Sequence, residues 1–98
     1  MSVARIYAIR RTSRFKKDVE RLKKQGADLT LLENVIDLLS TDAPLDPKYK
    51  DHPLQGKEKG FRECHIKDDW LLKYIKDKKT LVLVLTRTGT HQNLFGED

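Results

Sequence analysis

Three apolar runs, FRECHI (61–66), WLLKYIK (70–76) and TLVLVLTRTG (80–89), follow one another with only the polar turns KDD and KDKK to join them. Connections this short cannot cross over a sheet. Consecutive runs must therefore pair antiparallel as hairpins, and the three form a meander. In a meander the third strand runs parallel to the first, so their C-terminal ends share one edge of the sheet with the start of the middle strand. Leu81 to Leu85 is apolar at every position, which predicts an interior strand covered on both faces.

The first half has a different period. VARIYAIRR (3–11) alternates and carries β-branched and aromatic residues, as a strand does. Ser13 then offers a helix cap, Phe15, Val19 and Leu22 recur at helical spacing, and Gly26 offers a left-handed stop. Asp28 can cap a second helix with a buried stripe of Leu32, Val35, Ile36 and Leu39, broadened by Leu31 and Leu38. Pro44 and Pro47 end it, and a long polar connection runs to the meander. The expected fold is α+β: one domain over 1–98, a small twisted antiparallel sheet with an N-terminal helical hairpin packed on one face.

A chain of 98 residues buries only about two-thirds of the surface it exposes when unfolded. Its formal charge is +5, which favours a polyanionic partner, although a solvated charged surface accounts for most of the lysines. The single cysteine, Cys64, makes no internal disulfide, and it alternates with His65 so that the two face opposite ways. There is no apolar run of membrane-spanning length and no secretory leader pattern in MSVARIYAIRR, so a cytoplasmic protein with no membrane partner is expected.

The meander brings chemistry to one edge. His65 ends its first strand, Asp69 and Trp70 begin the second, and Arg87 ends the third, followed by His91 and Phe95. His52 lies on the preceding loop, held extended by Pro53. A lone histidine is more often structural than chemical, and Trp70 and Phe95 would ordinarily be packing residues. Three histidines with one acid have another use. Internal cleavage of RNA needs a base for the ribose 2′-OH, an acid for the leaving 5′-oxygen, and positive charge at the phosphate. Imidazole serves either proton role at neutral pH, and a carboxylate beside it orients the ring. On this reading His52, His65, Asp69 and His91 form the reacting set. Arg62, Arg87 and Lys50 meet phosphate, and Trp70 and Phe95 stack on bases. The histidine spacings match no compact zinc motif, so neither a metal nor another cofactor is expected.

KDHPLQGKEKGFRECHIKDDW (50–70) followed by LTRTGTHQNLFG (85–96) resembles the RelE/YafQ-like toxins of bacterial type II toxin–antitoxin systems, closest to the YafQ branch. The likeness runs through 44–96, with Asp68 where proline is commoner and Cys64 where a small residue is usual. It implies a RelE-like toxin fold and a ribosome-dependent endoribonuclease that cuts mRNA in the A site. It also implies His91 as the general acid, with His52, His65 and Asp69 sharing the base and its orientation. The implied partners are a cognate antitoxin, the ribosome and mRNA, with operator DNA reached only through the antitoxin complex. The competing readings are a non-catalytic module that binds an antitoxin or nucleic acid, and a superfamily toxin aimed at another target such as DNA gyrase.

Overall fold

The structure, a computed structural model, describes residues 5–95. Its strands are β1 (Ala8–Arg11), β2 (His52–Pro53), β3 (Arg62–Lys67), β4 (Trp70–Asp77) and β5 (Val82–Gly89), in the sheet order β1-β5-β4-β3-β2. Helices α1 (Ser13–Lys24) and α2 (Leu29–Leu39) precede the meander, and α3 (His91–Phe95) follows it. The α+β fold and the antiparallel meander stand as expected. The sheet is mixed, however, because β1 pairs parallel with β5. No hairpin turn ties these two strands together, so the return path of the long connection sets their relative direction.

One face of the sheet carries the core. Phe15 of α1 and Leu32, Val35, Ile36 and Leu39 of α2 pack on Cys64, Ile66, Leu72, Tyr74, Leu83 and Leu85. Leu31 is half-buried against this cluster, whereas Leu38 is exposed and does not widen the stripe. Asp28 caps α2 as expected, accepting from Thr30 N at 3.1 Å. The α1 cap is Thr12, one residue before the expected Ser13. Its hydroxyl accepts from Phe15 N at 3.1 Å and donates to the Thr86 carbonyl at 2.9 Å, tying the helix start to β5. The expected first strand shortens to β1; Val3 and Ala4 lie outside the described residues. Leu81 is an exposed left-handed turn residue (φ 56°) and β5 begins after it. Leu83 and Leu85 are fully buried, but Val82 and Val84 only half, so just one face of this strand is fully covered.

A bulge decides what the other face displays. Lys73 opposes Arg87 while Tyr74 opposes Leu85, leaving Thr86 as the extra residue. Strict alternation from Leu83 and Leu85 would put Arg87 on their face; the bulge turns it over. The registers His52↔Glu63, Glu63↔Lys73 and Lys73↔Arg87 then set four polar side chains in a row across β2, β3, β4 and β5. His65, Leu71 and Gly89 form the next row on that face.

Candidate active site

The face away from the α1–α2 layer holds a continuous chain of acid–base groups. Buried Glu63 presents one carboxylate oxygen to two imidazoles, 3.5 Å from His52 Nε2 and 4.0 Å from His65 Nε2. The His65 ring stands edge-on to that of His91, with centroids 6.1 Å apart. His91 Nδ1 meets Asp69 Oδ1 at 2.7 Å, and the His91 backbone N–H donates to the same oxygen at 3.3 Å. The four residues expected to react are therefore brought together, and the short meander turn is what brings Asp69 to His91.

Local structure fixes which nitrogen does what. His52 Nδ1 lies 2.7 Å from the Lys50 carbonyl, which only accepts, so Nδ1 carries a hydrogen and Nε2 is the nitrogen that faces Glu63. His91 Nδ1 is likewise committed to Asp69, leaving its Nε2 open to a substrate. Hydrogen bonds from the His91 side chain, then from its backbone, hold the Asp69 carboxyl below the usual carboxylate range. His91 opens α3, and Thr90 caps that helix reciprocally with Asn93: Thr90 Oγ1 accepts from Asn93 N at 3.1 Å, and Asn93 Oδ1 accepts from Thr90 N at 3.1 Å.

The expected phosphate and base contacts divide between the two faces. Phe95 stays with the row, its ring 6.3 Å from His91 and exposed. Arg87 reaches the row's face but is engaged by buried Asp18 of α1, donating from Nε at 2.7 Å and from Nη2 at 3.2 Å. Lys50 serves the site through its carbonyl. Arg62 does not join the row. It shares the core face with Tyr74, and both donate to Asp51. Trp70 also turns to the core face, where its Nε1 donates to Thr88 Oγ1 at 2.9 Å. Cys64 is fully buried opposite His65 as expected, and desolvation drives its thiol far above the usual range, so it takes no part as a thiolate.

Sequence reasoning missed Glu63 and Lys73. Lys73 is nearly buried, with Nζ 2.8 Å from Glu58, 4.9 Å above the Phe61 ring centroid and 5.6 Å from that of Phe95. A signal for both was present: Glu63 sits two residues from His65, on the same side of its strand, and Lys73 is a charge set between the apolar residues Leu72 and Tyr74. Among the described residues, no three or more His, Cys, Asp or Glu side chains converge to hold a metal ion.

Residues 7–96 match the family described as bacterial toxin of type II toxin–antitoxin system, YafQ. The mRNA interferase toxin YafQ of Escherichia coli K12 is 42% identical over 87 residues, covering 87% of this chain and 91% of the relative. A crystal structure of the E. coli DinJ–YafQ toxin–antitoxin complex contains a chain with TM-score 0.85 and 39% identity, covering 93% of this chain and 99% of that one. A metal-bound toxin from Helicobacter pylori also has TM-score 0.85, at 49% identity over 91% of this chain and 99% of its own. Together with the fold and the acid–base row, these matches show that the chain belongs to the YafQ family of bacterial type II toxin–antitoxin toxins.

Proposed function

We propose that this toxin is an endoribonuclease that cuts mRNA on the ribosome, by attack of a ribose 2′-OH on the adjacent phosphate. The observation that carries the reading is the unbroken row His52–Glu63–His65–His91–Asp69. A pure binding module has no use for two imidazoles whose Nδ1 atoms are both tied to acceptors while Nε2 is left for other partners. In the proposed reaction His91 Nε2 gives its proton to the departing 5′-oxygen, with Asp69 holding the ring. The 2′-OH proton passes to the His52–Glu63–His65 group, where one buried carboxylate couples two candidate bases. Each well-placed acid or base contributes roughly 10²- to 10⁴-fold.

The row is open to solvent at His52, His91 and Asp69, and so small a domain offers little surface to hold RNA in line by itself. A ribosome that holds the 2′-OH in line with the phosphate supplies positioning worth on the order of 7 kcal/mol. The remaining assignments are the cytoplasm as location, a cognate antitoxin that silences the toxin, and operator DNA bound only through that complex. No helix of the described residues is long and apolar enough to cross a membrane.

The test is primer extension on mRNA-programmed ribosomes and on naked RNA, from about pH 6 to 8, where imidazoles titrate. New ends in the A-site codon on ribosomes alone are expected, and they vanish in His91→Ala with circular dichroism unchanged. A fully active His91→Ala protein removes that residue from the mechanism, and intact mRNA at every pH refutes the nuclease reading.

A further inference from the structure

Beside the histidine row lies a cleft of about 250 Å³ lined by Thr12, Arg14, Phe61, Lys73, Thr86 and Arg87. Its base is rigid, since Thr12 Oγ1 donates to the Thr86 carbonyl and Thr86 Oγ1 donates to the Lys73 carbonyl at 2.7 Å. Lys73 and Arg87 are held by Glu58 and Asp18. Arg14 differs: it is exposed and, among the described residues, makes no ion pair. It stands in the first turn of α1, where the helix dipole disfavours a cation and where no acidic residue offsets it. Helix formation therefore gives no reason for an arginine at this position.

We propose that this cleft is a nucleotide subsite: Phe61 receives a base next to the scissile phosphate, and Arg14 meets the phosphate at the cleft mouth. The inference rests on the nuclease reading above. Three observations favour it over an acidic peptide. The cleft joins the row directly, because Lys73 lies in register with Glu63 on the neighbouring strand, about 4.8 Å away. The Phe95 ring spans the two, near Lys73 on one side and His91 on the other. The lining combines an aromatic ring with cations, as single-stranded nucleic acid requires and as a carboxylate side chain does not.

The test uses single-turnover cleavage on ribosomes programmed with mRNAs that differ by one nucleotide at a time around the cut, with wild type, Phe61→Leu and Arg14→Gln. Phe61→Leu is expected to slow cleavage at the preferred nucleotide by roughly 5- to 100-fold and to flatten the preference. Arg14→Gln, at an exposed position that spares the fold, is expected to raise the half-saturating toxin concentration on programmed ribosomes without changing binding to vacant ones. The proposal is overturned if nucleotide profiles are unchanged and Phe61→Leu only lowers the melting temperature. Equal weakening by Arg14→Gln on vacant and programmed ribosomes overturns it too, as does weakened antitoxin binding with cleavage intact. A wild-type protein that cuts nothing on the ribosome sinks the nuclease reading itself and the subsite with it.

Discussion

At the scale of single residues, chemistry depends on which imidazole nitrogen is occupied. Asp69 accepts from both the ring and the backbone of His91, so it sets ring orientation and tautomer together. Asp69→Asn keeps the shape but can present an amide N–H to Nδ1, reversing the tautomer. Single-turnover cleavage should fall by roughly 10²-fold with the circular dichroism spectrum unchanged. The same pair has a defined acid sensitivity. Because the folded pKa of Asp69 lies below its unfolded value, the contact's contribution is fully present above about pH 4, near the unfolded carboxylate value. It is lost as pH falls through the lower, folded value. An NMR titration of the Asp69 carboxyl should place its midpoint below the ordinary carboxylate value. Titration of Asp69 at or above the ordinary value would refute the assignment.

At the scale of elements, α3 is a short helix carrying the proposed acid, and its position depends on Gly89. This residue has φ 148°, and an added Cβ would stand 3.0 Å from Asn93 Oδ1 and 3.1 Å from Arg21 Nη2. Arg21 can move, but Asn93 Oδ1 is committed to the Thr90 cap. Gly89→Ala should therefore cost roughly 1–3 kcal/mol in chemical denaturation and displace His91, lowering cleavage further than the stability loss explains. The bulge at Thr86 has comparable influence, since it turns Arg87 onto the face that carries Lys73 and Glu63. Sequence alternation gave correct parity for His65 and Cys64. It failed for Arg87 because a one-residue insertion in a strand leaves no compositional mark here.

Across the whole molecule, one buried carboxylate links three elements. Asp18 of α1 accepts from Arg87 and Thr88 of β5 and from Arg21, while Arg87 also donates to the Asn93 carbonyl of α3 at 3.3 Å. Asp18→Ala leaves a buried guanidinium without its counter-charge and should cost about 3–5 kcal/mol. That is a large share of the 5–15 kcal/mol typical of small domains, so thermal melts should show a marked loss. The net charge of +5 acts at longer range. Ribosome affinity should fall steeply with salt, and a log–log plot of slope near zero would argue against electrostatic docking.

By itself the sequence determined what depends on spacing along the chain: the meander from its short turns, both amphipathic helices from their period, and the meeting of His65, Asp69 and His91 at one edge. It even carried the Asp28 cap and the burial of Cys64. Tertiary structure alone decided the parallel β1–β5 pairing, the facing of Arg87 and the bridging of two histidines by Glu63. Each of these turns on register between strands that no short loop connects, or on one inserted residue. Local pattern sets which side chains alternate, but only the assembled sheet selects which alternating set meets which neighbour.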